Sequence, residues 1–278
     1  MNIKEKLEKV INKLEGMSAK DFRKDMLRFG YKDSDSFWLP SSKVLLRGKE
    51  VNVKGKLTVE DFLYFQEEVI KWNEVFGNSR YDKTLISTYH NLTKEEFYGK
   101  REYLDSVTTG NLVGELDGLI DMIFTGFFLA VLCDNILSRE HCQSLLNQTL
   151  CNFDEEDLDT FLSWDPLNNS FMVREALIDL LIRGSNLFNI RGAFDRVLES
   201  NYSKAVDVRE PINITEELFK IEKAGRYAEL STNTTGGYII IKAHKDLREG
   251  KEYLKGKIIK SSLFKSPEDL GGLDEFIY

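Results

Sequence analysis

Asp117 and Asp121 stand four residues apart in the run from Gly114 to Phe124, GELDGLIDMIF. On a helix that spacing puts both carboxylates on one face, about 6 Å apart along the axis. Leu116, Leu119, Ile120, Ile123, Phe124 and Phe127 cover the other faces, and Met122 to Cys133 carries no charge. Two acids on one face of a helix about to be buried repel each other and resist desolvation, unless a cation sits between them. A divalent metal ion is the obvious candidate. The competing reading places both aspartates in solvated first turns, where the helix dipole favours acids. A second pair at the same spacing, Glu175 and Asp179, lies in EALID, which resembles DGLID and reads as a second wall of the same site, a weak repeat or coincidence.

Composition narrows the chemistry. The 278 residues are 42% hydrophobic and 12% aromatic, enough for a sizeable core. A net charge of −8 argues against binding along a nucleic-acid backbone, yet leaves a nucleotide open as ligand through Mg²⁺. His90, His141 and His244 show no metal-ligand spacing, so any metal here is held by oxygen. Cys133, Cys142 and Cys151, nine residues apart, match no zinc knuckle and read as reduced thiols of a cytoplasmic protein. The amphipathic start, MNIKEKLEKVINKLEG, lacks the apolar core of a signal peptide, and Met122 to Cys133 is too short to span a bilayer.

The elements that must position these acids are mostly helices. Periodicity predicts helices over 3–15 and from Ser18 to about Gly30, then a small hairpin around Gly48 within 44–53. Thr58 caps a helix with Phe62, Phe65, Val69, Trp72 and Phe76 on one stripe, closed by Gly77. Asn91 to about Val107 reads as the next helix, with Thr93 and Glu96 fitting a capping box. Asn111 caps the aspartate helix; Ser138 caps one running to about Leu150; Asp154 to Trp164 is an acidic helix ended by a Pro166 turn. Helices follow from Ser170 and from Gly192, and Thr215 caps a short one. Tyr227–Ser231 and Tyr238–Lys242 read as a β-hairpin, and Gly256–Lys260 as a third short strand. The expected organisation is an N-terminal extension (1–57), a helical core (58–210) with an insertion near 134–170, and a C-terminal α+β appendage (211–278).

Taken in order, these pieces resemble the all-α nucleoside-triphosphate pyrophosphohydrolases, the superfamily of MazG and the dimeric dUTPases, and its phage-encoded members in particular. The pieces are the helix Phe65 to Gly77; the acidic stretch Leu92-Thr-Lys-Glu95-Glu96-Phe97; the aspartate helix from Glu115; and Ser200-Asn201-Tyr-Ser203-Lys204. A tail with Gly256-Lys257-Ile-Ile-Lys260-Ser261 and Phe264-Lys-Ser-Pro267 is similar to that of phage relatives. The resemblance covers roughly 58–132 and 190–270. It departs from the family where Glu-x-x-Glu and Glu-x-x-Asp are expected, because Gly99 and Gly114 replace two carboxylates.

The resemblance implies a mainly α bundle of the pyrophosphatase type, with extra inserted helices and a small β-hairpin appendage. It implies Mg²⁺-dependent hydrolysis (Mn²⁺ as substitute) of a nucleoside triphosphate to the monophosphate and pyrophosphate, controlling nucleotide pools in infection from the host cytoplasm. Glu95, Glu96, Asp117 and Asp121 are the metal ligands it implies, with Glu115, Glu175 and Asp179 in reserve. Glu67, Glu68 or Glu102 would orient the water; the competing reading of Glu67 and Glu68 is a solvated helix face. Asn201, Ser203 and Lys204 would contact phosphate oxygens, or else mark an exposed helix end. Trp72, Phe97 and Tyr98 are open to base stacking or to core packing. Relatives are dimers or dimer-like, so a homodimer is implied. The alternative is a catalytically degenerate member that binds a nucleotide or a host protein.

Overall fold

The computed structural model describes residues 43–46, 49–52, 57–147 and 155–278. The helices expected over 3–15 and 18–30 lie outside the described residues. Two short strands, β1 (Lys43–Leu46) and β2 (Lys49–Asn52), form a two-stranded sheet where the hairpin around Gly48 was expected. Residues 44–278 group into one unit, mainly helical with a small antiparallel sheet near the C-terminus.

Helix α1 (Val59–Val75) starts as the sequence predicts. The Thr58 hydroxyl accepts from the Asp61 N–H and the Asp61 carboxylate accepts from the Thr58 N–H, a reciprocal box that satisfies two orphan donors. Gly77, at φ +82°, ends it. Phe62, Phe65 and Val69 are fully buried, and each buried Phe contributes roughly 1.5–3 kcal/mol. The Phe65 ring meets Phe194 at 4.7 Å and Phe194 stacks on Phe124 at 5.1 Å, so α1, the aspartate helix and the later helix over Ile190–Tyr202 share one aromatic seam.

The next helix departs from expectation. A 3-10 turn (Lys83–Leu85), capped by Asp82, leads into α2 (Ile86–Tyr98), which therefore begins before Asn91. Thr93 is buried inside it and donates its hydroxyl to the Tyr89 carbonyl (2.8 Å), so it caps nothing. The helix ends at Gly99, Arg101 follows at φ +74°, and α3 (Tyr103–Thr109) is a separate helix. Gly110, at φ +76°, closes α3; Asn111 then caps α4 (Leu112–Met122), accepting from the Gly114 N–H at 3.2 Å. Past Met122 the same helix widens into a π segment (Ile123–Phe127) and resumes as α5 (Phe128–Leu132), every side chain of 122–132 buried.

Helices α6 (Arg139–Asn147) and α7 (Glu155–Ser163) fill the insertion. Pro166 opens a helix instead of a turn. It occupies the first position of α8 (Pro166–Gly184), where its missing N–H costs nothing, with Asp165 as the cap. Helix α9 (Ile190–Tyr202) is capped by Asn189, and α10 (Ile214–Lys223) by Asn213 rather than Thr215, whose own N–H is the donor.

The appendage is larger than a hairpin. Strands β4 (Tyr227–Thr235), β5 (Tyr238–Asp246) and β6 (Lys251–Ile259) pair antiparallel about β5, and β3 (Val206–Asp207) adds to the sheet at Ile239 and Tyr238. Ile240 packs with Phe76, Ala205 and Trp72 on one face; Ile241, Ala243 and Ile259 face α10 on the other. Among the described residues no helix is long and apolar enough to cross a membrane.

Candidate functional site

Four acids from three consecutive helical pieces and one lysine from the turn after α9 come together. Asp121 is half-buried on α4, where the charges of Asp117, Glu96, Glu102 and Lys204 all act on it. Glu96 comes from the last turns of α2, Glu102 from the junction before α3, Asp117 and Asp121 from α4 and Lys204 from the turn just past α9. Two local features bring the first three pieces together. A Cβ at Gly118 would lie 2.7 Å from the Tyr103 backbone nitrogen and 2.8 Å from its Cα, so only glycine lets the start of α3 press on α4. A Cβ at Gly99 would lie 2.6 Å from the Glu102 Cγ, so the absent side chain is the space Glu102 occupies.

Gly99 and Gly114 therefore have packing reasons. At Gly114 a Cβ would fall 2.6 Å from the Asn111 amide nitrogen that belongs to the helix cap. At Gly99 the open space is taken by Glu102, which reaches the cluster from three residues further on.

The electrostatics are those of a site short of positive charge. Burial first, then the charges of Glu102, Asp117 and Glu95, push the Glu96 carboxyl up to about 7. Burial, with Glu102 and Glu268, pushes Asp117 up to about 6. Asp121 goes well above the usual carboxylate range, through burial and then Asp117 and Glu96. Burial raises Glu102 as well. Lys204 is held below the usual lysine range by burial, against the pull of Asp121. Its ammonium donates to Asn201 Oδ1 at 2.5 Å and lies 5.8 Å from the Trp72 ring centroid. The buried Trp72 indole N–H has no acceptor among the described residues. Beside Asp121, its own carbonyl accepts from the Thr125 hydroxyl at 3.1 Å, where the π segment loosens the helical ladder.

The remaining sequence candidates stand elsewhere or do other work. Glu95 is exposed, adding only its charge to Glu96. Glu67 and Glu68 both pair with Lys71, at 2.9 and 2.8 Å, on an outer face of α1. Glu175 is buried against Arg174 (3.0 Å) and His141 (3.0 Å), an ion network that docks α6 on α8. Asp179 is buried one turn on, and Glu115 is buried beside Tyr103, whose hydroxyl feels its charge. Ser203 is committed to the tail: its hydroxyl accepts from the Lys265 N–H (2.9 Å) and donates to the Ser200 carbonyl (2.7 Å). Asn201 is buried as the acceptor for Lys204. Trp72 and Phe97 pack in the core, and the Tyr98 hydroxyl donates to Asp159. Glu268, on the tail turn, joined the cluster without any signal in the sequence, since only the fold brings residue 268 near residue 117.

Hard oxygen donors, crowded and half-desolvated, suit Mg²⁺ or Mn²⁺ rather than a soft metal. As the side chains stand, no three His, Cys, Asp or Glu groups among the described residues are set at metal-holding distance. A cavity of about 420 Å³ opens at the same helix end, bordered by Tyr202, Ser203, Tyr238, Leu263 and Lys265. The chain matches no protein-family model, no curated protein and no solved structure.

Proposed function

We propose that this protein hydrolyses a nucleoside triphosphate to the monophosphate and pyrophosphate with Mg²⁺. The observation that supports it is the meeting of Glu96, Glu102, Asp117 and Asp121 next to Lys204, acids that repel one another in the absence of a cation. Glu96, Asp117 and Asp121 would hold the ion. When bound, Mg²⁺ screens the triphosphate, acidifies a bound water and stabilises the leaving oxygens. Glu102, reaching in from the α2–α3 junction, orients the attacking water and takes its proton. Lys204 binds a phosphate oxygen as a point charge, from a site walled by Trp72. The cavity beside Ser203 has the volume for the nucleoside, within the roughly 300–1,000 Å³ of small-molecule sites.

The test is incubation with each deoxynucleoside triphosphate and Mg²⁺, assayed for pyrophosphate. Wild type should release it from at least one, and Asp117→Ala should lower kcat by about a hundredfold or more. Equal release by both proteins removes Asp117 from the reaction. A second reading, a nucleotide-binding protein without turnover, is favoured by Gly99 and Gly114 standing where the resemblance calls for carboxylates. Mg²⁺-dependent stabilisation by a non-hydrolysable triphosphate with no pyrophosphate released from any substrate would select it.

A further inference from the structure

Lys260 lies just past the end of β6, and nothing above gives it a role. On that strand Ile258 packs towards Trp72, Tyr202 and Ile240, while Ile259 packs with Ile241 and Ala243 on the opposite face. Lys260 comes next, at the first position past the strand. The next residue is tied to Lys204: the Ser261 N–H donates to the Lys204 carbonyl (3.1 Å) and its hydroxyl to the Ser203 carbonyl (3.3 Å). Lys260 is exposed, with its ammonium 3.8 Å over the Phe264 ring. Among the described residues neither Lys260 nor Lys204 is in an ion pair with a carboxylate. Two like charges have been brought together, one half-buried and one at the surface, and the repulsion between them also depresses Lys204. An anion placed between the two would relieve that repulsion.

The geometry points to a polyphosphate site formed by Lys204 and Lys260, which holds the pyrophosphate half of a triphosphate on the solvent side of the acid cluster. This deepens, and rests on, the triphosphate reading above. Lys204 is half-buried and Lys260 exposed, so Lys260 stands on the solvent side of Lys204. The leaving pyrophosphate then lies along the exit, with Lys260 its last contact.

The probe is inorganic pyrophosphate with Mg²⁺, measured by calorimetry on the full chain and as a product inhibitor. Lys260→Gln, at an exposed position, should weaken pyrophosphate binding about 10-fold or more and raise KM by more than it lowers kcat, while Lys260→Arg keeps most of the affinity. Wild-type affinity in Lys260→Gln overturns the site, as does wild type that binds no pyrophosphate. The two proposals fail separately. If no triphosphate is hydrolysed but Lys260→Gln still weakens pyrophosphate binding, the phosphate site stands and the hydrolase reading falls. If wild type turns over and the variant is inhibited like wild type, the reverse holds.

Discussion

Replacing Glu96 by Gln should make the protein more stable, by an amount that grows with pH and is complete above about pH 7. Glu96 loses solvation in its half-buried place and faces three other acids, so its carboxyl rises from an ordinary 4.5 to about 7. A group whose folded pKa is raised favours the folded state below its unfolded pKa, and that advantage is lost as pH climbs through the folded value. The penalty is therefore absent below about 4.5, grows through the interval and is complete above about 7. A rise of that size corresponds to a ceiling of about 3 kcal/mol. Residual solvation and relaxation of Glu102 lower this to about 1–2 kcal/mol, or about 2–4 °C in Tm for a chain of this size. The assay is thermal unfolding of both proteins in a chelator, at about pH 8 and about pH 5.5, where the linkage relation leaves less than half the gain. Equal gains at the two pH values, or a lower Tm for Glu96→Gln at the higher pH, would refute the argument. Adding Mg²⁺ at the higher pH should then raise the Tm of wild type more than that of the variant, because the ion relieves the same repulsion.

Other substitutions separate the architecture from the site. Gly118→Ala should destabilise by about 1–3 kcal/mol, because its Cβ meets the Tyr103 backbone at 2.7 Å, and should weaken the Mg²⁺ response by moving Glu102 away from Asp121. Denaturant melts with and without Mg²⁺ read both effects. Glu175→Ala leaves the buried Arg174 without its carboxylate and should cost about 3–5 kcal/mol in urea unfolding. An unchanged Mg²⁺-induced Tm shift in that variant is expected, and losing the shift would place Glu175 in the metal site after all. Ser203→Ala removes the hydroxyl that joins Ser200 to the Lys265 backbone and should cost about 1 kcal/mol. Faster amide exchange confined to the tail from about 261 to 270 is the expected signature, and unaltered exchange there would count against the clasp.

Much of the helical framework was legible because its signals are local. Thr58 with Asp61, Asn111 before the aspartate helix, Gly77 and Gly110 at helix ends, and the Phe62–Phe65–Val69 stripe all act within a few residues of themselves. Thr93 misled for the same reason. A capping box and a buried threonine bonded to its own helix are alike in composition, and only the preceding turns from Lys83 onward decide between them. Pro166 is ambiguous in the same way, since a proline suits both a turn and a first helical position.

The sequence by itself determined that Asp117 and Asp121 share a helix face, and that with so few histidines any metal here would be held by oxygen. Which acids join them was decided by tertiary packing. Glu175 and Asp179 have the same spacing and a similar surrounding pattern, yet Glu175 is closed off by Arg174 and His141. Glu102 enters the cluster because Gly118 lets α3 press against α4 and Gly99 leaves room for its side chain, and Glu268 enters because the tail returns to α9. Periodicity records which face of a helix a residue occupies. The identity of whatever meets that face depends on contacts between residues as far apart as 117 and 268, and it is those contacts that set the charge balance on which any chemistry here depends.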